Sequence, residues 1–219
     1  MTTAADYDAW YATPRGTWIG GVEFAALRQA LAAQPGERLL DVGCGTGYFT
    51  RRFAAECPLD VVGVDPNRAW LDFACRRGDG GARYCAGRAE ALPFPDAAFD
   101  RTVSVTALCF VADARRAVTE MVRVTRTRIV LGLLHRRSLL YAKKGRGGGT
   151  GAYRGAHWHT EREVRALFAG LPVASLTFAT AVLLPGGGRV ARGAEHASSW
   201  LPLGAFLVAA ADVRATGAA

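Results

Sequence analysis

The chain has 219 residues, half of them apolar and 21% charged, which predicts one domain with a substantial core and excludes intrinsic disorder. Its five cysteines have no paired spacing, so we expect no disulfide framework and no metal site, and a reducing, cytoplasmic location. The first 16 residues lack the basic and apolar regions of a secretory signal, and no apolar run reaches the roughly 18 residues of a membrane span, so we expect neither export nor a transmembrane helix.

The formal net charge of +8 is concentrated in one part of the chain. Between Glu120 and Glu161 there is no acidic residue, but there are nine basic ones: Arg123, Arg126, Arg128, Arg136, Arg137, Lys143, Lys144, Arg146 and Arg154. A local excess of this kind marks one surface or loop rather than a generally basic protein. It leaves open a polyanionic partner.

Helical and strand-like patterns alternate along the first two thirds of the chain. In chain order we predict a helix over 18–33, a strand over 38–43, a helix over 48–57, a strand over 59–65, a helix from 65 to about 77, and strands over 82–87 and 101–108. A helix from Asp113 to about Val124 and a strand over 127–134 follow. Five such alternations predict an α/β fold with an open, mostly parallel sheet and helices on both faces.

The last third of the chain is less regular. The stretch 145–159 is rich in glycine and has no apolar period, which predicts a loop. Thr160 and Glu163 fit a capping box that begins a helix ending near Ala169. Two apolar, β-like runs, 175–184 and 205–213, are separated by a predicted loop of Gly, Arg and Ser.

A glycine-rich loop is the most informative feature of the sequence. Asp41-Val42-Gly43-Cys44-Gly45-Thr46-Gly47 lies between a predicted strand and a helix, where glycines let the backbone approach a ligand. Asp65 ends the next strand, 22 residues after Gly43, and is placed to accept the hydroxyls of a ribose. Alternatively, Asp65 could simply be the N-cap of the helix that follows.

The spacing of the glycines disfavours two common nucleotides. A dinucleotide site needs G-x-G-x-x-G, whereas Tyr48 stands where the third glycine would fall. The GKS/T ending of an ATP phosphate loop is also missing. NAD and ATP are therefore not expected as ligands.

The motifs carry a family resemblance. LLDVGCGTGYFTRRF resembles the first motif of class I S-adenosylmethionine-dependent methyltransferases, and VVGVDPN resembles the second. YCAGRAEALPFPDAAFD and VSVTALCFV resemble the third and fourth, as written in the type 11 group. The resemblance covers about residues 37–134. It implies S-adenosyl-L-methionine as cofactor and a Rossmann-like, doubly wound, mostly parallel seven-stranded sheet with an antiparallel C-terminal strand, and it does not specify the acceptor.

The resemblance also implies a set of cofactor-binding residues: Asp41, Gly43, Cys44, Gly45, Gly47, Asp65, Pro66, Ala89, Glu90 and Thr106. The glycines, Asp41 and Thr106 would surround the methionine portion, with Asp41 at its ammonium group. Asp65 would bind the ribose, and Pro66 and Ala89-Glu90 would border the adenine. Arg88 departs from the family, because relatives usually carry an acidic residue there and a guanidinium cannot accept a hydrogen bond. Adenine recognition would then rest on the backbone or on Glu90.

Three side chains are candidates for the chemistry. His135 ends the fifth strand, at the sheet edge where such folds bind ligands, and could be a general base or a strand-end histidine bonded to the backbone. Tyr153 and His159 lie in the glycine-rich insertion and could face the acceptor. His157 and His159 have no cysteine or acidic neighbour, so we expect no metal there.

We interpret the chain as a single methyltransferase domain, 1–219, in four parts. These are an aromatic N-terminal helical segment (1–36), a cofactor-binding core (37–134), a basic glycine-rich insertion (135–159) and a C-terminal helix with strands (160–219). The N-terminal aromatic residues either pack on the domain edge or form a lid: Tyr7, Trp10, Tyr11 and Trp18.

The sequence predicts methyl transfer to a small-molecule acceptor by direct displacement. The alternative is an RNA or protein methyltransferase that uses the basic block 123–154 to hold a polyanion or an acidic carrier protein. A third possibility is a protein that binds the cofactor without catalysis.

Overall fold

The computed structural model describes residues 3–78, 80–197 and 202–214. The strands are β1 (Arg38–Val42), β2 (Asp60–Asp65), β3 (Arg83–Ala86), β4 (Phe99–Val105), β5 (Thr125–Leu134), β6 (Val173–Ala181) and β7 (Phe206–Val213). The helices are α1 (Ala4–Trp10), α2 (Pro14–Leu31), α3 (Tyr48–Glu56), α4 (Arg68–Arg77), α5 (Ala114–Val124), α6 (Glu161–Phe168) and α7 (Gly188–Ala197). In the described residues, no helix is long and apolar enough to cross a membrane.

The strands form one seven-stranded sheet in the order β3-β2-β1-β4-β5-β7-β6. The first five strands pair in parallel, and β7 runs antiparallel to both of its neighbours, β5 and β6. The predicted fold class, a doubly wound sheet with an antiparallel C-terminal strand, is confirmed.

The order of the strands determines where a ligand can bind. The chain builds the sheet outward from β1 to β3, then returns to the other side of β1 with β4 and β5. Because parallel crossovers are right-handed, α3 and α4 lie on one face of the sheet and α5 lies on the other. The loops that follow β1 and β4 therefore diverge, and a crevice opens between them at the carboxyl edge of the sheet.

The helices cover apolar strands on both faces. Helix α2 packs on β5, β6 and β7, and its Phe24 contacts Phe53 of α3 with ring centroids 4.8 Å apart. Helices α5 and α6 contact each other, α5 packs on β5, and α6 packs on β6. Both faces of β5 are consequently shielded from solvent, and four of its apolar residues are fully buried: Ile129, Val130, Leu131 and Leu133.

Three predicted boundaries of helices and strands in the first half of the chain are wrong, and helix capping and backbone conformation explain the differences. Helix α2 begins at Pro14 rather than Trp18, because the Thr13 side chain caps the helix and proline suits its first turn. Helix α4 begins at Arg68, with Asn67 and not Asp65 as its N-cap. Strand β4 ends at Val105 rather than at residue 108, because Thr106 adopts φ +55°.

Two predicted loops contain ordered helical turns. The glycine-rich insertion forms short turns at Tyr141–Gly145, Arg146–Gly148 and Gly151–Tyr153 around the buried ring of Trp158. The predicted Gly/Arg/Ser loop contains α7, and the carboxylate of Glu195 accepts hydrogen bonds from the backbone N–H groups of Val182 and Leu183. Residues 198–201 of that predicted loop lie outside the described part.

Candidate active site

The glycine loop between β1 and α3 has the backbone conformation that only glycine adopts easily. Gly43, Gly45 and Gly47 have φ of +75°, +56° and +78°. The N–H groups of Gly43 and Cys44 donate to the Val64 carbonyl, at 2.7 and 3.1 Å, which holds the loop against the end of β2. A Cβ on Gly43 would overlap the Cβ of Ala107, so the loop also closes against the segment after β4.

Asp65 supports this loop and does not cap a helix. Its Oδ2 accepts the N–H of Gly45 at 2.9 Å, and its Oδ1 accepts the N–H of Asn67 at 2.8 Å. The Asn67 side chain takes the capping role by accepting the N–H of Trp70. Each Asp65 oxygen retains a lone pair, so the carboxylate can still accept the two hydroxyls of a ribose. The alternative interpretation of Asp65 as an N-cap is wrong.

Asp41, at the end of β1, is a buried carboxylate with one polar partner. The Thr50 hydroxyl donates to its Oδ2 at 2.6 Å. Burial raises the pKa of Asp41 to about 7, and the nearby charge of Asp65 acts in the same direction. In the described part of the chain, no basic side chain offsets these two acids. The pair therefore favours a ligand with positive charge, as both the ammonium and the sulfonium of S-adenosylmethionine have.

Residues predicted near the adenine occupy the loops after β2 and β3. Pro66 is exposed, Ala89 is buried, and the Glu90 side chain is largely covered. Arg88 points to the surface, and its Nη2 donates to the Glu90 Oε1 at 3.1 Å. The unusual arginine thus pairs with Glu90, the carboxylate predicted to accept from the adenine. Adenine recognition by Glu90 stays a prediction.

Thr106 stands at the end of β4 in a strained backbone conformation. A φ of +55° is rare for a β-branched residue, and its cost must be met by the surrounding structure. The Thr106 N–H donates to the Gly132 carbonyl at 2.7 Å, which fixes the turn against β5. Together with Gly43 and Ala107, Thr106 forms the wall of the crevice at the predicted methionine end.

Helix α1 lies over the glycine loop, an arrangement that our sequence analysis left open. The Asp8 carboxylate accepts from the Arg51 guanidinium at 2.7 Å and from the Thr46 hydroxyl at 3.3 Å. The Tyr7 ring lies 5.2 Å from the Trp70 ring, which itself borders Gly45. Asp8 was missed as a site residue, although an acid in an aromatic helix at the N-terminus was a usable signal.

The two candidate histidines are enclosed rather than open to an acceptor. His135 and His159 are 1% and 2% exposed and pair in a short parallel bridge beside the end of β5. The His135 Nδ1 lies 2.9 Å from the Gly204 carbonyl, as in the alternative of a strand-end histidine bonded to the backbone. Burial lowers the pKa of both rings, that of His159 to about 4, so both are neutral near pH 7.

Tyr153 is the candidate that remains partly accessible. Its ring packs on Trp158 at 5.4 Å, and burial raises the pKa of its phenol. The charge of Glu23, in α2, acts on the same phenol. Glu23 was missed by the sequence analysis, although an acidic residue on the apolar face of a helix was a signal for it.

Comparison with known proteins agrees with this geometry. Residues 40–130 match the family model described as a methyltransferase domain, which spans the glycine loop, Asp65 and β4. The match assigns this stretch to the methyltransferase domain family, in agreement with the resemblance to class I S-adenosylmethionine-dependent methyltransferases. The cofactor of this family is S-adenosylmethionine, and Asp41, Asp65 and the glycine loop fit its charge and its ribose.

One relative matches a longer part of the chain than the family model does, and another matches a part of similar length. An uncharacterised protein of Mycobacterium tuberculosis is 36% identical over 173 residues, which cover 76% of this chain and 56% of the relative. The malonyl-[acyl-carrier protein] O-methyltransferase of Serratia marcescens is 40% identical over 95 residues, or 43% of this chain and 36% of that enzyme. The chain thus spans about half the length, or less, of these curated relatives.

A solved structure shows the same fold over nearly the whole chain. An S-adenosylmethionine-dependent methyltransferase of Thermotoga maritima superposes with a TM-score of 0.72. The match covers 96% of this chain and 95% of that one at 24% identity.

Proposed function

We propose that this protein transfers the methyl group of S-adenosylmethionine to a small-molecule acceptor by direct displacement. The observation that carries the proposal is the cover that α1 places over the glycine loop through Asp8 and Arg51. We expect an acceptor to enter beside α1 and the segment that carries Tyr153. A site enclosed in this way suits a small molecule better than a polymer.

Different residues of the crevice would bind different parts of the cofactor. Asp65 would hold the ribose, and Asp41 would face the ammonium, while the glycine loop would let the ligand approach the backbone. When bound, the cofactor supplies a methyl group on a positively charged sulfur, which already is a good leaving group. The protein therefore contributes mainly alignment and exclusion of water.

The basic block does not form one continuous surface, which supports the same proposal. Four of its nine cations pair with acids from elsewhere in the chain: Arg123 with Glu120 and Asp96, Arg126 with Asp100, Arg128 with Asp212, and Arg136 with Glu163. Arg126 and Arg128 lie at the start of β5, at the opposite edge of the sheet from the crevice. Contacts with Arg126 and Arg128 would therefore place a polyanion at the edge of the sheet away from the crevice.

A second candidate is methylation of an RNA or of an acidic carrier protein. It is favoured by the five other cations of the block, which are exposed in one segment: Arg137, Lys143, Lys144, Arg146 and Arg154. This segment ends beside the crevice, where His157 donates its N–H to the Cys109 carbonyl at 2.7 Å.

The test compares acceptor pools with radiolabelled cofactor. A metabolite extract below about 3 kDa, bulk tRNA and a carrier-protein fraction are each incubated with the enzyme, and tRNA binding is titrated at two salt concentrations. We expect label in the metabolite pool, and RNA binding that is lost at physiological salt because it rests only on exposed cations. Label in RNA or carrier protein alone would overturn the small-molecule proposal.

A further inference from the structure

Glu23 occupies a position in α2 that an apolar residue would normally fill. Its neighbours on the core-facing side of the helix are Ile19, Gly20, Phe24 and Leu27, all buried. The Glu23 side chain is only half-buried, so the packed core does not cover it completely. A carboxylate turned inward on an apolar helix face costs stability unless it has a partner. In the described residues, no hydrogen bond or ion pair to its side chain is present.

Three tyrosines, each from a different segment, are close enough for the Glu23 charge to act on their phenols. Tyr7 comes from α1, Tyr11 from the turn that follows it, and Tyr153 from the glycine-rich insertion. The hydroxyls of Tyr7 and Tyr11 lie 3.4 Å apart. A Cβ on Gly20, one turn before Glu23, would lie 3.0 Å from the Tyr11 ring, which places that ring beside the same face of α2.

The electrostatics of the cluster follow from this geometry. Burial raises the pKa of Glu23 to about 8, and among the described residues no cation counteracts the effect. Burial also raises the pKa of Tyr7, Tyr11 and Tyr153, and the Glu23 charge acts on each of them in the same direction. Other charged or titratable groups act on the tyrosines: Asp8 on Tyr7, Tyr48 on Tyr11, and Arg15 on Tyr153.

The cluster adjoins the cofactor crevice. Tyr7 packs on Trp70, which borders Gly45, and Tyr11 stacks on Tyr48, the first residue after the glycine loop, with centroids 3.6 Å apart. A group held by Glu23 would therefore lie between the cofactor and the Tyr153 segment. Aromatic faces around a carboxylate suit an organic cation, because both the charge and the ring quadrupoles attract it.

We propose that Glu23, Tyr7, Tyr11 and Tyr153 form the acceptor subsite, and that the acceptor is a small amine whose nitrogen is bound by the Glu23 carboxylate. This inference rests on the proposed function and names its substrate class. It assigns Glu23 as a catalytic residue.

The reaction at this subsite begins with the bound ammonium, which loses one proton to the Glu23 carboxylate. A carboxylate with a raised pKa is suited to accept that proton near neutral pH. The amine nitrogen then uses its lone pair to form a bond to the methyl carbon, and the carbon–sulfur bond breaks with its electron pair going to sulfur. The positive charge moves from sulfur to nitrogen, the methylated product leaves as an ammonium, and the protonated Glu23 releases its proton to water.

The first experiment measures binding and not turnover. S-adenosylhomocysteine is bound first, and its affinity is measured by calorimetry. Then 2-phenylethylamine, 2-phenylethanol and phenylacetate are titrated into the complex as cationic, neutral and anionic probes of similar shape. We expect the amine to bind at least tenfold more tightly than either of the others, and this preference to be absent in Glu23→Gln.

Proton release gives a second, independent readout. At pH 7 a carboxyl group with a pKa of about 8 is mostly protonated, so binding of an ammonium should release about one proton per amine. Calorimetry in phosphate and in Tris, which differ in ionisation enthalpy, measures that proton. Glu23→Gln should release none. Asp72→Asn removes an exposed carboxylate from α4 and should behave like wild type.

The outcomes separate the two proposals. If S-adenosylhomocysteine does not bind, the proposed function fails. If it binds equally to wild type and Glu23→Gln, both proteins are folded at the crevice. If the amine then binds no more tightly than its neutral and anionic analogues, or binds equally to wild type and Glu23→Gln, the amine subsite is overturned. The proposed function is not affected by that outcome.

Discussion

The Asp8 carboxylate of α1 lies 2.7 Å from the Arg51 guanidinium of α3, and both side chains are 9% exposed. Arg51 also donates to the Thr46 carbonyl at 2.5 Å, within the glycine loop. One buried ion pair thus joins the helix that covers the crevice to the loop that forms its floor. Removing one member of a buried pair leaves the other charge without compensation, which is costly.

We expect Asp8→Asn to loosen α1 and weaken cofactor binding. A loss of about 1.4 kcal/mol, a modest part of what breaking a buried pair costs, corresponds to tenfold weaker binding of S-adenosylhomocysteine. Calorimetry measures the affinity, and limited proteolysis reports whether the segment before Pro14 becomes accessible. Asp72→Asn is the matched surface control. Unchanged affinity and unchanged proteolysis would show that α1 is not held by Asp8.

Substitutions of Asp65 and Asn67 should have separate effects, the first on cofactor binding and the second on the capping of α4. Asp65→Ala removes a carboxylate that can accept ribose hydroxyls, and we expect it to weaken cofactor binding by about 1.5 to 3 kcal/mol. Asn67→Ala removes the cap of α4 and should lower stability by about 1 kcal/mol, with the affinity kept. Thermal unfolding and calorimetry on both variants test this. A loss of affinity in Asn67→Ala equal to that in Asp65→Ala contradicts the assignment.

Gly43 should tolerate no side chain. In Gly43→Ala the new Cβ overlaps Ala107, and the residue must hold φ +75°, so we expect lower stability and little cofactor binding. Gly21→Ala is the matched control, because a Cβ there meets nothing within 4 Å on a helix. It should stabilise the protein by about 0.5 to 1 kcal/mol. Equal melting temperatures and affinities for the two variants would exclude the overlap.

The buried acids should make the cofactor-free protein less stable as pH rises. The pKa of Asp41 is raised to about 7 and that of Glu23 to about 8, so between pH 5 and 8 the folded state binds more protons than the unfolded state. The free energy of unfolding must then fall with increasing pH, by at most about 1.4 kcal/mol per pH unit for each titrating group.

Glu23→Gln should flatten this dependence. Urea unfolding at pH 6, 7 and 8 measures the slope, and Glu56→Gln, which removes an exposed carboxylate from α3, is the control. We expect a smaller slope and a higher stability at pH 8 in Glu23→Gln only. An identical slope in wild type and Glu23→Gln would mean that Glu23 ionises normally.

Most of the fold and the cofactor loop could be predicted because their signals are local. Short apolar runs ending in glycine or aspartate predict buried parallel strands, and the spacing of Gly43, Gly45 and Gly47 with Asp65 predicts a nucleoside site. The capping box of Thr160 and Glu163 is present as predicted, with both of its hydrogen bonds formed. Each of these features depends on residues that are close in sequence.

The sequence by itself therefore determined the α/β class, the glycine loop and the cofactor. Only the tertiary structure decided which residue caps α4, that His135 and His159 are enclosed, and that the Glu23 charge acts on tyrosines from other segments of the chain. It also paired Arg128 with Asp212, 84 residues apart, which removes part of an apparently unopposed basic block. The physical reason is that burial and charge compensation depend on every group within a few ångströms. Separation along the sequence does not show which groups those are.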